Sequence, residues 1–413
     1  MKIMVAGGGT GGHLYPGLAV AAAFLRRHPD GSVVFVGTKA GIEARVVPER
    51  GYPVETIRVE GLVGRGWMRQ VRSLLVLPAA IARAGSIISR HRPDVVLGVG
   101  GYAAGPVVLA ARLKGIPIVI QEQNAVPGLT NRLLGRMAGR IAVAYRSANR
   151  WFPSGRIYLT GNPARAGLGS VERREARRRF GLALEAPTLF VLGGSRGARV
   201  LNERMAEAAG PLGRAVPGLQ VIHQAGPERG QEAEALRAAY TRAGITSAVL
   251  PFIEDMPAAL AASDLVMARA GAATLSELAL AGRPAVLVPY PFSAHGHQAA
   301  NAREASDAGG AAVIDQEDLT LLRIVETLGA LLSDPGRLDA MGRAMGRLAR
   351  PDAADRVVDL LEAIVREARP AVRPGAVAAP PGTGSAPPGG PSAGAPTAAR
   401  SENHPVTAVM GRV

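Results

Sequence analysis

The sequence predicts an α/β protein of two doubly wound domains facing a cleft, followed by a disordered C-terminal tail. Three observations predict it. Short apolar strands alternate with helix-capable segments over residues 2–314, a rhythm that yields a mostly parallel sheet with helices on both faces. A strand, a glycine turn and a helix open the chain at residues 2–27, and the same pattern restarts at residue 188. The length, 413 residues, suits two or three domains.

In the first domain, taken as residues 1–163, strands are expected at 2–6, 33–36, 54–58, 94–99, 118–120 and 141–144. The first strand enters GGGTGG at residues 7–12, then His13, then a helix over about 17–27. Strand, glycines and helix in that order form a phosphate- or dinucleotide-binding turn. Ligands of open α/β sheets bind at this edge. A histidine there is suited to proton transfer near neutral pH, so His13 is a candidate base. A second glycine loop, GGYAAGP, spans residues 100–106, and the strand at 118–120 ends in Gln121-Glu122-Gln123-Asn124. These four polar residues stand at the ligand edge or begin a loop.

The second domain, taken as residues 164–369, repeats the plan. A charged helix over 172–180 precedes a strand at 188–192 and a third glycine loop, GGSRGAR, at 193–199. Strands follow near 219–222, 248–250, 265–268, 285–288 and 311–314, and helices fill 318–368. The most informative stretch is residues 269–301. Gly271, Ala272 and Ala273 leave backbone open to a ligand, and the helix after them would present unpaired N–H groups to an anion. Leu275, Leu278 and Ala279 form its apolar side and Gly282 its stop. Glu277 is placed in the first turn, either to accept bonds from sugar hydroxyls or to form a capping box with Thr274. His297, Gln298 and Asn301 follow in a polar segment that a plain surface helix would not need.

Composition narrows the function. The chain is 47% hydrophobic but only 4% aromatic, so Leu, Val and Ala build its core. It has no cysteine, which excludes disulfides, thiolate catalysis and zinc-thiolate sites. The net charge is +15, and of 48 basic residues only Lys2, Lys39 and Lys114 are lysines. Such a surface attracts phosphates or anionic lipid. Nucleic acid is not expected, since no basic run with interleaved aromatics and no recognisable module is present. No apolar run approaches the ~18 residues of a membrane span, and the N-terminus is a strand rather than a signal peptide. A cytoplasmic protein resting on a membrane is expected. Residues 61–85 carry Trp67, Val71, Leu74, Leu75 and Ile81 at helical spacing, flanked by Arg65, Arg69, Arg72 and Arg83. Packing on the sheet accounts for most of this, and a basic, apolar rim dipping into a membrane is the second reading. Residues 370–413, rich in Pro, Gly, Ala and Ser, are expected to be disordered.

The glycine loop with His13, the loop at 100–106, Glu122-Gln123-Asn124, Gly161-Asn162-Pro163-Ala164-Arg165, the loop at 193–199 and residues 271–301 occur in one order. That ordered set resembles the MurG family, the bacterial UDP-N-acetylglucosamine transferases that make lipid II. The resemblance spans roughly residues 1–365. It implies the GT-B fold of two Rossmann-like domains. It also implies inverting transfer of N-acetylglucosamine from UDP-N-acetylglucosamine to the 4-hydroxyl of undecaprenyl-pyrophosphoryl-N-acetylmuramyl-pentapeptide, lipid I. A glycosyltransferase of the same fold with a different lipid acceptor is the alternative.

By that resemblance Ile253 lies beside the base, and Ala272, Ala273, Thr274 and Glu277 form the nucleotide turn with Glu277 on the ribose. Ser195 and Arg165 contact the diphosphate. Gln298, His297 and Asn301 contact the sugar, and Thr10, Gly11, Gly12 and Asn124 reach the donor from the first domain. The departing nucleoside diphosphate needs its charge stabilised, by a metal or by fixed dipoles. No paired-Asp motif suggests a metal, and Asp315-Gln316-Glu317-Asp318 reads as a helix start. No cofactor is expected. His13 is the first candidate for the base and Glu122 the second, since Gln121 stands where the family often has histidine. The implied partners are the donor, lipid I, the anionic inner-membrane surface and other cell-wall synthesis proteins, at the cytoplasmic face of the membrane.

Overall fold

The computed structural model describes residues 1–59, 67–165 and 167–368, and side chains for all of these but 67–75. The first half holds β1 (Lys2–Gly7), α1 (Gly11–Arg27), β2 (Ser32–Thr38), α2 (Glu43–Glu49), β3 (Val54–Ile57), α3 (Trp67–His91), β4 (Val95–Gly100), α4 (Ala104–Leu113), β5 (Ile118–Glu122), α5 (Leu129–Gly135), β6 (Arg140–Val143) and β7 (Ile157–Leu159). The second holds α6 (Arg173–Arg179), β8 (Thr188–Leu192), α7 (Arg199–Ala215), β9 (Gln220–Gln224), α8 (Gly230–Arg242), β10 (Thr246–Leu250), α9 (Met256–Ala262), β11 (Leu265–Ala268), α10 (Ala272–Ala281), β12 (Ala285–Leu287), α11 (His297–Asp307), β13 (Ala311–Val313), α12 (Leu321–Leu332), α13 (Pro335–Gly346) and α14 (Ala353–Ala368).

The two sheets follow one plan. The first is ordered β3-β2-β1-β4-β5-β6-β7 and the second β10-β9-β8-β11-β12-β13. All their pairings are parallel. Helices cover both faces, so central strands bury every residue, as in β4 (VVLGVG) and β8 (TLFVL). Strand order reverses between β1 and β4 and again between β8 and β11. A doubly wound sheet opens a crevice beyond its strand ends at such a point.

Several boundaries differ from those expected, each for a local reason. Helix α1 begins at Gly11, directly after the glycine turn, so His13 lies in its first turn. Strand β5 runs on through Gln121 and Glu122, which are buried rather than loop residues. Strand β7 and helix α2 are too short to leave a periodic signal. The acidic run at 315–318 is not the start of a longer helix but a single 3-10 turn, Gln316–Asp318. Helix α12 begins after it, capped by the Thr320 side chain.

The division at residue 163 does not hold for the last helix. α14 returns to the first sheet, where Val357, Val358, Leu361, Ile364 and Val365 pack with Ile3, Val5, Leu14 and Phe24. Their spacing is the apolar stripe of one helix face. Arg26 and Arg27 of α1 pair with Asp355 of α14 at 2.7 and 3.3 Å.

For the segment at 61–85, residues 61–66 with Arg65 lie outside the described residues, as do the side chains of Trp67, Arg69, Val71, Arg72, Leu74 and Leu75. Backbone 67–91 is the one helix α3. Ala80, Ala84, Ile87 and Ile88 of α3 are buried on the sheet, with Ile81 against them, and Arg83 pairs with Glu55 at 3.5 Å. Residues 370–413 also lie outside the described residues. Among the described residues no helix is long and apolar enough to cross a membrane.

Candidate active site

A cavity of about 570 Å³ is lined by both halves, a size suited to a small ligand. From the first half come the glycine turn with His13, Gly100 to Tyr102, and the segments after β5. From the second come Gly194, Ser195, Phe252, the start of α10, and the start of α11. Arg165 lines it as well. Helices α1, α10 and α11 all start on its wall. Their unpaired N–H groups and dipole ends favour negative charge there.

Bare backbone lets the first wall form. The turn after β1 lies against the turn after β4, with Gly8 N–H donating to Gly100 O at 3.3 Å. A Cβ on Gly7 would stand 2.3 Å from Gly100 O, and one on Gly100, whose φ is +93°, would stand 2.8 Å from His13 Cδ2. Glycine at 100 thus makes room for the imidazole. His13 Nδ1 is 3.0 Å from Thr10 Oγ1. Burial above all, then the neighbouring His297, push the His13 pKa down to about 4, with Glu43 opposing. The ring is therefore neutral at physiological pH and able to accept a proton.

Glu122 is buried within this wall. Its Oε1 accepts from Asn124 N–H at 2.8 Å and Nδ2 at 3.2 Å, and its Oε2 accepts from Asn131 Nδ2 at 2.8 Å. Burial raises its pKa against those bonds. These bonds hold the segment after β5.

On the second wall, α10 starts at Ala272 after Gly271, with no side-chain cap. The capping box of Thr274 and Glu277 is not formed, and Glu277 lies in the second turn rather than the first. Gly282 ends the helix in the left-handed conformation, φ +60°, as expected. Glu277 is buried and pairs with Arg165, Nε to Oε1 2.7 Å. Burial raises its pKa, with Arg165 opposing. The Arg165 guanidinium also stacks on Tyr15, 4.9 Å from the ring centre. The two residues given separate ligand roles by the resemblance hold each other here.

At α11, His297 Nδ1 donates to Ala294 O at 2.8 Å, which leaves Nε2 free to meet a ligand. Burial lowers its pKa. Gln298 Oε1 accepts from Tyr290 N–H at 2.9 Å. The chain enters α11 through His295 and Gly296, both left-handed at φ 55° and 66°; a non-glycine residue there is unfavourable, and such residues cluster at functional sites.

Of the sequence-predicted site residues, His13, Glu122, Thr10, Gly11, Gly12, Asn124, Arg165, Ser195, Ala272, Ala273, Thr274, Glu277, His297 and Gln298 line this one cavity. Ile253 and Asn301 do not. Ile253 is buried in the second core, its N–H donating to Gln224 Oε1 at 2.9 Å, and exposed Phe252 lines the cavity beside it. Asn301 is fully buried and bridges the halves. Its Oδ1 accepts from Ala125 N–H at 2.9 Å, and its Nδ2 donates to Asn124 Oδ1 at 3.1 Å and Ala270 O at 3.2 Å.

Sequence reasoning missed Tyr15, Asn131, Gln224 and His295. Only Gln224 carries a signal, a polar residue closing an apolar strand, the same signal that marks Gln121 to Asn124. Among the described residues no group of three or more His, Asp or Glu could hold a metal ion.

Two doubly wound sheets enclosing a cavity rimmed by helix starts are the architecture of the GT-B fold, and the chain's relatives place it among the glycosyltransferases. Residues 3–143 match the glycosyltransferase family 28 N-terminal domain, and residues 188–357 match its C-terminal domain. The chain is 44% identical over 360 residues to the UDP-N-acetylglucosamine–N-acetylmuramyl-(pentapeptide) pyrophosphoryl-undecaprenol N-acetylglucosamine transferase of Myxococcus xanthus (strain DK1622), covering 87% of this chain and 92% of that protein. It is 46% identical over 366 residues to the enzyme of the same name from Anaeromyxobacter dehalogenans (strain 2CP-C), covering 89% and 94%. The crystal structure of Acinetobacter baumannii MurG is similar at a TM-score of 0.70 and 34% identity, over 88% of this chain and 99% of that one. The chain belongs to the MurG family of N-acetylglucosamine transferases.

Proposed function

We propose that the protein transfers N-acetylglucosamine from UDP-N-acetylglucosamine to the 4-hydroxyl of lipid I, forming lipid II with inversion at the anomeric carbon. The observation that carries this reading is the cavity that joins the His13 imidazole on one half to the helix starts of the other. In the reaction, the acceptor oxygen bonds to the anomeric carbon as the bond from that carbon to the UDP oxygen breaks. The acceptor proton passes to His13. The charge on departing UDP is met by the starts of α10 and α11 and by Arg165. Glu277 accepts bonds from the ribose, and His297 and Gln298 face the sugar. Thr10, Gly11, Gly12 and Asn124 reach the donor from the first half. Glu122 orders the segment after β5 and stands second as a base. The sequence similarity to the transferases named above supports this assignment. UDP-N-acetylglucosamine is a substrate, and no cofactor is assigned.

The test is incubation with UDP-N-acetylglucosamine and lipid-linked N-acetylmuramyl-pentapeptide. A β-1,4 disaccharide on the lipid is expected. Donor consumption only with another lipid acceptor would overturn the assignment in favour of a different enzyme of this fold.

The lipid of the acceptor remains in the bilayer, so the first half works at the membrane surface, on the cytoplasmic face and peripherally, within reach of other cell-wall synthesis proteins. The net charge of +15 supports attraction to an anionic surface. Binding to vesicles should rise with their anionic lipid content and fall with salt. Binding indifferent to both would contradict it.

A further inference from the structure

Beneath the first glycine turn, outside the cavity, lies a carboxylate with no assigned role. Glu43 opens helix α2 and is only 1% exposed. Its Oε2 accepts from Gly9 N–H at 2.7 Å. Its Oε1 accepts from Thr38 N–H at 2.7 Å and from the Thr38 hydroxyl at 2.9 Å. A surface acid at a short helix start would need none of these bonds. A buried carboxylate persists only with such partners.

Three glycines are fitted around it. A Cβ on Gly8 would stand 2.4 Å from Glu43 Cδ, one on Gly37 2.2 Å from Cγ, and one on Gly41 2.2 Å from Oε1. Two of these glycines come from elements other than the catalytic turn, and all three leave the space that the carboxylate fills. Gly8 and Gly9 lead into α1, whose first turn carries His13. Glu43 therefore fixes the one stretch of backbone that aims the imidazole.

We propose that Glu43 is a positioning residue for the transfer, holding the Gly8–Gly9 turn by its carboxylate and setting a fixed negative charge behind His13. This rests on His13 being the base. The titratable groups acting on His13 are His297 from α11 and Glu43 from α2, with Thr10 bonded to its Nδ1. His297 and burial weaken the ring as a base, and Glu43 alone opposes them. The negative charge also stabilises the imidazolium formed as the proton arrives.

The experiment compares Glu43→Gln and Glu43→Asp with the wild type, using UDP-N-acetylglucosamine and the lipid-linked acceptor. The amide of Gln turns a donor toward Gly9 N–H and removes the charge. Its kcat should fall on the order of 10²-fold, the scale of a small misplacement of a catalytic group, and the acidic limb of its kcat/KM profile should move to lower pH. Asp keeps the charge and shortens the side chain, so kcat should fall while the limb stays nearer the wild-type position. UDP affinity, measured by calorimetry, should be unchanged in both and reports that each variant is folded. Wild-type kcat in Glu43→Gln would overturn the proposal. So would a loss of kcat with the limb unmoved, which marks a brace without electrostatic effect. A wild-type protein that makes no product with this acceptor would instead refute the reaction itself.

Discussion

β1 with α1 and β8 with α7 occupy the same place in their two sheets, beside the switch point, and each pair joins through a glycine turn to a helix of 17 residues. The first turn carries Thr10 and His13 and rests on Glu43. The second carries Ser195 and packs on the turn after β9, where a Cβ on Gly197 would stand 2.1 Å from Ala225 O. One switch strand later the roles reverse. The turn after β4 supplies bare glycine against His13, while the turn after β11 leads into α10, with Glu277 held by Arg165. The fold thus provides an anion-attracting edge twice, and in the function proposed here the side chains set into each edge divide the labour: proton transfer on the first half, nucleotide binding on the second.

A comparison of two histidines sharpens the contrast. His223 in β9 is fully buried, bonded to the Tyr240 hydroxyl at 2.8 Å and to Asn202 Oδ1 at 3.1 Å, and burial pushes its pKa down to about 3. His13 is lowered for the same leading reason. Of these two, only His13 borders the cavity, so its location rather than its lowered basicity is what makes it the candidate base.

The division of labour has consequences of different size. His13→Ala should lose about 10²–10⁴-fold in kcat with UDP affinity little changed. Because the ring must be neutral to take a proton, wild-type kcat/KM should fall only as pH drops through about 4, well below the ordinary histidine value of about 6.5, and this limb should be missing in the variant. An enzyme within a few-fold of wild type would pass the role to Glu122. Next in size, Leu361→Ala in α14, fully buried against the first sheet, should cost about 2–5 kcal/mol. Hydrogen exchange in that variant should loosen β1 and β4 before β8 and β11. The reverse order would assign the helix to the second core. Smallest, Glu277→Ala should weaken UDP by about 1.5–3 kcal/mol, the range for charged hydrogen bonds, with kcat at saturating donor less affected than in His13→Ala. Unchanged UDP affinity would leave Glu277 as a counter-ion for Arg165 alone.

Much of this was legible in the sequence, because buried parallel strands read as unbroken apolar runs and the strand–glycine–helix pattern occurs twice. His13 stood out because it follows a glycine turn, Glu277 because a bare-backbone turn precedes its helix, and Gln298 because a plain surface helix would not need it. What escaped depends on long-range pairing. The stripe of Val357, Leu361 and Ile364 is plainly a buried face, but nothing local says which sheet it covers. Glu43 opens a short helix after Thr38-Lys39-Ala40-Gly41-Ile42 and looks solvated until Gly8 and Gly37 are seen around it. The mutual hold of Arg165 and Glu277, and the bridge from Asn301 to Asn124 and Ala125, join residues far apart in the chain.

The most direct test of the division is hydrogen–deuterium exchange on adding UDP alone. The strongest new protection is expected over residues 271–277 and 297–298, with the turn at 7–13 slowing mainly once the lipid-linked acceptor is added. Protection concentrated at 7–13, with none at 271–277, would contradict it.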